Sequence, residues 1–248
     1  MVIVLRSMLE KSLKITIIYG VLLFSMSCAF DIDSKGGEKG NGIIQIENRE
    51  VIAYFDTVIA SEDLHVFVSQ GSEFSILVEA DENIIHLIKT DISDGKLHLH
   101  TDRNIGRATK KLYISLPNIA ALISATGSVL QTQNAIKADS LAINAGTGSF
   151  LNAEIYADKM SIKSKEGARL RVSGEARNTS IDVSSGSYIN AKDLKAIDCS
   201  AIARNGGVIE IKVSKSLMAN ANTGGGIIYL GTPKVDKTKS LSGDVRKY

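Results

Sequence analysis

Between residues 118 and 231, apolar positions return at fixed offsets from a recurring glycine. Gly127, Gly148, Gly167, Gly186, Gly206 and Gly225 serve as markers, with successive gaps of 21, 19, 19, 20 and 19 residues. Three residues after each marker stand Leu130, Leu151, Leu170, Ile189, Ile209 and Ile228, aliphatic in every repeat. Five residues after it stand Thr132, Ala153, Val172, Ala191, Ile211 and Leu230. The intervening positions are mostly polar: Gln131, Asn152, Arg171, Asn190, Glu210 and Tyr229. Alternation at period two marks a strand with one face turned inward. A second set precedes the glycine. Leu122, Ile143, Ile162, Ile181, Ala201 and Asn220 lie five residues before it, and Ala120, Leu141, Met160, Thr179, Cys199 and Met218 lie seven before. Each repeat reads as strand, Gly-containing turn, strand, turn.

A unit of about twenty residues cannot bury its own apolar face, but stacking equivalent columns on one another does bury it. The expected fold is therefore all-β, a parallel β-helix (β-solenoid) with coils of about 20 residues. Six coils at a strand spacing of about 4.8 Å make a rod of roughly 29 Å. An antiparallel sandwich of hairpins shares the turn spacing. It gives no reason for aliphatic columns at a fixed period, so the solenoid is preferred.

The front half is β-like but less periodic. Phe55–Val58, Leu64–Val68, Phe74–Val78 and Lys111–Leu116 read as strands. Asp94-Gly95 between two strand-like runs is a hairpin signal, and residues 81–89 suggest a short helical turn. Residues 44–118 are read as N-terminal coils and cap, 119–231 as six regular coils, and 232–248 as a C-terminal cap.

The first 27 residues read as a secretory signal peptide rather than part of the fold. Arg6, Lys11 and Lys14 precede the apolar run Ile15–Phe24, about half the length of a membrane-spanning helix, and Met8 offers an alternative start. Ser25-Met26-Ser27 leads into Cys28, resembling a lipobox with Ser25 where Leu is usual. The expectation is cleavage before Cys28 and lipidation of its thiol. Residues 28–43, Gly- and charge-rich, are read as a flexible lipidated tether.

Composition narrows the functional classes. The formal net charge is only +2 and no basic run follows the N-terminus, so no argument for nucleic acid arises. Hydrophobic content of 44% is enough for a core.

The run Phe55-Asp56-Thr57-Val58, Val66–Gly71, Val78–Asn83 and Asp94-Gly95-Lys96-Leu97 resembles the opening of the "head GIN" putative auto-transporter adhesin domain. The turns Ala125-Thr126-Gly127-Ser128 and Ala145–Ser149 are similar to its SGSG-like repeats. Tyr229–Pro233 and Leu241-Ser242-Gly243 match its close. The resemblance spans roughly residues 50–245. It implies a right-handed β-helix, a secreted or lipobox-bearing chain and a cell-envelope role, and it brings no catalytic motif.

Candidate chemistry is sparse. Asp139 and Asp158 occupy equivalent places in adjacent repeats. A carboxylate pair about 5 Å apart suits acid–base chemistry or a cation, but Asp equally suits a turn, which is the preferred reading. His98 and His100 share one strand face without a third ligand at useful spacing. Cys199 sits in an apolar column and reads as a small buried hydrophobe. No catalytic, metal or cofactor site is expected. Two residues after each marker come Val129, Phe150, Arg169, Tyr188, Val208 and Ile227, an outward stripe. Phe150, Arg169 and Tyr188 are its candidate binding residues, for a glycan or a surface protein, unless turns of the same chain cover them. The expected role is an adhesin or ligand-binding module, lipid-anchored in the envelope of a Gram-negative bacterium, at its outer membrane. A structural or regulatory scaffold is the alternative, and a carbohydrate-active enzyme the least favoured.

Overall fold

The computed structural model describes residues 36–248. The expected signal peptide, Cys28 and the first half of the tether, residues 28–35, lie outside the described residues. Residues Gly37–Tyr248 form one compact unit.

The strands in chain order begin with β1 (Ile44–Arg49), β2 (Thr57–Ala60), β3 (His65–Gln70) and β4 (Ser75–Asp81). A 3-10 turn (Ile85–Leu87) leads to β5 (Ile88–Ser93), β6 (Lys96–Thr101) and β7 (Lys110–Leu116). The regular region holds β8 (Ala121–Ser124), β9 (Val129–Thr132), β10 (Ile136–Ala145), β11 (Phe150–Ser164), β12 (Arg169–Val183), β13 (Tyr188–Ala203) and β14 (Val208–Asn222). The chain closes with β15 (Gly226–Leu230), β16 (Lys234–Ser240) and β17 (Asp244–Lys247).

The architecture is the expected β-solenoid, with about 7 turns at a spacing of about 19 residues. The parallel register sets Leu130 on Leu151, Leu151 on Leu170, Leu170 on Ile189 and Ile189 on Ile209. All five are buried. A second ladder runs Leu122, Ile143, Ile162, Ile181, Ala201. Because strand side chains alternate, fixing these inward fixes their neighbours outward.

The last repeat corrects the sequence reading. Ile209 faces Ile227 and Cys199 faces Leu217, so the sixth marker is Gly224, not Gly225. The coil has lost one residue, and a one-residue slip exchanges the faces of a strand. Ile227, Leu217 and Ala219 are therefore the buried members, whereas Met218 is 61% exposed.

The glycine turns form a ladder of their own. Each pairs a left-handed residue with the glycine: Thr126-Gly127, Thr147-Gly148, Glu166-Gly167, Ser185-Gly186, Asn205-Gly206 and Thr223-Gly224. The glycine amide donates to the carbonyl of the left-handed residue one coil on, as from Gly148 to Glu166 at 2.9 Å and from Gly206 to Thr223 at 3.1 Å. The second turn expected in each repeat separates β9 from β10 and β15 from β16, but in β11 to β14 it is instead a bend within one continuous strand. Leu151 and Met160, on different walls, both belong to the 15-residue β11.

The N-terminal half is not stacked in chain order. The coil made by β2 and β3 lies between the β6–β7 coil and the β8–β9 coil. The segment between returns antiparallel: β4 pairs with β7 and with β1, and β5 forms a hairpin with β6. Asp94 and Gly95, both at positive φ, make that hairpin's turn, as Asp-Gly predicts. The tether expected over 28–43 ends earlier than residue 43. Glu38 exchanges backbone hydrogen bonds with Asn104 and Gly106, and the Gly40 amide donates to Arg107.

Residues 232–248, expected as a cap, form one more coil: β16 stacks on β14 and β17 on β15. The first ladder ends there on buried Val245, opposite Ile227, whereas the second ends in charge. Lys237 lies opposite Ala219 and Lys239 opposite Ala221, both exposed. Inward-pointing charge on a last strand discourages further edge pairing.

Candidate functional site

The long sheet on one side of the solenoid runs β1, β4, β7, β3, β9, β11, β12, β13, β14, β15, β17. Its outward surface carries two neighbouring columns. The first is Lys111, His65, Val129, Phe150, Arg169, Tyr188, Val208. The second, two residues along each strand, is Tyr113, Phe67, Gln131, Asn152, Arg171, Asn190, Glu210. From β7 to β14 these columns extend about 29 Å at a spacing of about 4.8 Å.

The three residues expected as a stripe, Phe150, Arg169 and Tyr188, stand on successive strands in direct register. Phe150 and Arg169 are exposed, and Tyr188 is half-buried. The stripe ends at Gly226 rather than Ile227, which lies in the core. At the other end of the face Phe67 stacks on Tyr113, ring centroids 5.1 Å apart and 14° from parallel.

Tyr188 leads into a polar network. Its hydroxyl donates to Glu210 Oε2 at 2.8 Å, and Lys192 Nζ reaches the same carboxylate at 2.9 Å. The Lys192 ammonium also lies 5.8 Å from the centre of the Tyr248 ring, within cation–π range. Burial acts to raise the Glu210 pKa, but the hydrogen bonds from Lys192 and Tyr188 outweigh it and hold the group below its ordinary value. Burial, then the Glu210 hydrogen bond, push the Tyr188 hydroxyl up, and the Glu210 hydrogen bond raises Lys192. An analogous trio sits near the N-terminal end. Glu79 accepts from Lys111 at 2.8 Å and from Tyr113 at 3.0 Å, and the Lys111 hydrogen bond lowers its pKa.

Glu210 was visible in the sequence only as an outward polar position. The placement of Lys192 was not, because β13 bulges between Ala191 and Lys195. That bulge also brings Asp193 to Arg171 at 3.3 Å.

A second feature lies where the long strands bend. A groove of about 620 Å³ is lined by Tyr156, Asp158, Glu175, Arg177, Lys195 and Ile197, among others. Tyr156 and Ile197 are 40% and 38% exposed. The charges are internally matched: Arg177 holds Asp158 at 3.1 Å and Lys195 holds Glu175 at 2.8 Å. Asp158, considered with Asp139 for acid–base chemistry, is thus committed to a guanidinium on the next coil. Of the histidines, His100 bonds Asp91 at 2.7 Å, and His98 faces the same way on β6. Cys199 is buried and unpaired among the described residues, and its desolvated thiol is pushed up to about 12.

Residues 54–233 match the family described as "Putative auto-transporter adhesin, head GIN domain". The chain belongs to this family. Solved structures related to this head GIN chain include a putative adhesin from Bacteroides fragilis, with TM-score 0.74 and 19% identity, covering 85% of this chain and 99% of that one. A putative adhesin from Parabacteroides merdae gives TM-score 0.68 and 18% identity over 85% and 98% of the two chains. A protein from Parabacteroides distasonis described as a putative lipid binding protein gives TM-score 0.63 and 18% identity over 85% and 98%. At these identities the likeness establishes a shared fold. Among curated proteins none matches.

Proposed function

We propose that this head GIN chain is an envelope-anchored adhesin whose long outward face binds an extended glycan. The observation that carries the reading is the in-register, solvent-facing ladder Phe150, Arg169, Tyr188 beside Asn152, Arg171 and Asn190. Aromatic rings offer apolar faces to the C–H surfaces of sugars. Side-chain amides both donate and accept, as sugar hydroxyls require, and a guanidinium presents a planar fork of donors to hydroxyl or carboxylate groups. A repeating ligand fits a repeating surface, each strand offering a similar row of contacts. The adhesin family supports the envelope setting. Lipidation at Cys28, and an outer-membrane location with it, belong to the same proposal. A glycan bound here meets no opposed acid and base, so the reading is capture rather than cleavage.

A glycan array probed with the chain from residue 29 tests it. Specific binding that Phe150→Ala and Tyr188→Ala each weaken supports the proposal. Binding indifferent to both variants, or the absence of any specific glycan, removes it. Release of shortened products instead makes the chain a carbohydrate-active enzyme.

A further inference from the structure

The two ends of the solenoid differ in chemistry. The C-terminal coil turns Lys237 and Lys239 into its open end. The N-terminal rim instead displays apolar side chains on and beside the edge strand β1. Ile43, Ile44, Ile46, Ile52 and Tyr54 are 57%, 47%, 61%, 76% and 57% exposed. Ile44 and Ile46 project from the outward face of β1, since they pair with Asp81 and Glu79. Ile43 precedes them on the alternate side, so isoleucines flank both sides of the free edge. Tyr54 meets Phe74 edge-on at 5.8 Å, which fixes one end of the rim. Clustered exposed apolar groups of this kind mark a contact surface.

Cations accompany them. The chain enters the fold along the loop 102–109, through the hydrogen bonds of Glu38 with Asn104 and Gly106 and of Gly40 with Arg107. On that loop Arg103 and Arg107 are exposed and form no ion pair among the described residues. The adjacent carboxylate, Asp102, is already held by Lys89 at 2.9 Å. Glu47 on β1 is likewise paired, with Arg49 at 2.8 Å. Exposed isoleucines with a tyrosine and unpaired guanidinium groups match the layering of a bilayer surface, where apolar groups enter the acyl boundary and cations meet phosphates. Eight residues lie between Cys28 and Gly37, and the nine steps span a contour of at most about 32 Å. An anchor at Cys28 thus keeps this end within about 32 Å of the membrane.

We infer that the N-terminal rim is a lipid-contacting surface, on which Ile43, Ile44, Ile46, Ile52 and Tyr54 enter the headgroup boundary of an anionic bilayer and Arg103 and Arg107 bind its phosphates. The rim's own affinity does not depend on lipidation; only its orientation toward the membrane rests on the anchor proposed above.

Co-sedimentation with vesicles tests the inference. The chain from residue 29 lacks Cys28 but keeps the whole compact unit and its core, so a failure of the lipidation proposal leaves the result untouched. The vesicles are phosphatidylethanolamine with one quarter phosphatidylglycerol, beside pure phosphatidylcholine. The expected result is binding to the anionic vesicles. The double variant Ile44→Ser/Ile46→Ser reduces it about tenfold or more. The double variant Arg103→Gln/Arg107→Gln reduces it and removes its salt dependence. Thermal melts show whether each variant is folded, and the arginine pair, being outside the sheet, supplies the second arm if the isoleucine pair is not. No vesicle binding by the unsubstituted chain overturns the inference, as does binding that neither pair alters. A dimer in light scattering that the isoleucine pair abolishes, without vesicle binding, assigns the rim to a second copy of the chain and overturns it too.

Discussion

Leu170 lies directly opposite Ile189 in the parallel ladder, and both side chains are buried. Leu151 closes the contact from the other side. Truncating Leu170 leaves a hole between two coils that the stacked backbones cannot collapse into. Leu170→Ala should therefore lower stability by about 2–5 kcal/mol. One residue on, Arg171 points to solvent and pairs only with exposed Asp193. Arg171→Ala should change stability by about 0.5 kcal/mol or less. Urea melts of the two variants check the register. A neutral Leu170→Ala beside a severe Arg171→Ala reverses the two faces.

This pair also shows how far the fold was legible. Stacked coils demand one residue type at one offset, so Leu151, Leu170 and Ile189 stood out as a column in the sequence. The same logic found Phe150, Arg169 and Tyr188. It slipped at Gly224-Gly225-Gly226, where three glycines hid an 18-residue coil and Met218 was read as inward in place of Leu217. The insertion of β2–β3 between later coils was illegible, because antiparallel β4 and β5 carry no repeat. The Lys192–Glu210 contact was illegible for a related reason. A bulge breaks the offset that made the rest of β13 readable.

A glycine of the turn ladder and a glycine inside β12 carry separate predictions. Gly167 sits at φ +73 with open space where a Cβ would go. Gly167→Ala should cost only the left-handed penalty, about 1–2 kcal/mol. Gly174 sits at φ +107, and a Cβ there would run into the Ile155 carbonyl on the neighbouring coil. Gly174→Ala should cost clearly more, because β11 and β12 must move apart. Thr223 is β-branched at φ +46, whereas Asn205 fills the same place one coil earlier. Thr223→Asn should stabilise the chain by up to about 1 kcal/mol. Thermal melts rank the three, and equal losses at Gly167 and Gly174 contradict the close approach.

Cys199 should make the fold sensitive to alkali. Burial lifts its thiol from 9.0 to about 12. The folded state thus keeps a proton that the unfolded state releases. Its contribution to stability is complete below about pH 9 and is lost as pH rises from 9 toward 12. The urea midpoint of the unsubstituted chain should fall more steeply over pH 8–11 than that of Cys199→Ala. Parallel curves would mean the thiol titrates freely. Ellman's reagent should react slowly with the native chain from residue 29 and fast in guanidinium.

Lipidation at Cys28 predicts a labelling result in cells. A clickable fatty acid should mark the full-length protein and leave Cys28→Ser unmarked. Equal marking of both removes the anchor, and with it the argument that the N-terminal rim is held near a membrane.

Glu210 predicts the acid limb. Its pKa is lowered, since the Lys192 and Tyr188 hydrogen bonds outweigh burial. For a depressed carboxylate the contribution to stability is present above the unfolded value, 4.5, and is lost as pH falls through the folded one. Glu210→Gln keeps the shape but removes the charge that Lys192 and Tyr188 share. At pH 7 it should cost about 1.5–3 kcal/mol, the range for a hydrogen bond to a charged group. The gap between Glu210→Gln and the unsubstituted chain should then narrow as pH drops from 5 toward 3, where Glu210 itself becomes neutral. Lys192→Met should show the same convergence, and the double variant should cost less than the two losses added, because both act on one carboxylate. A gap constant with pH would place the Glu210 contribution in packing rather than in its charge.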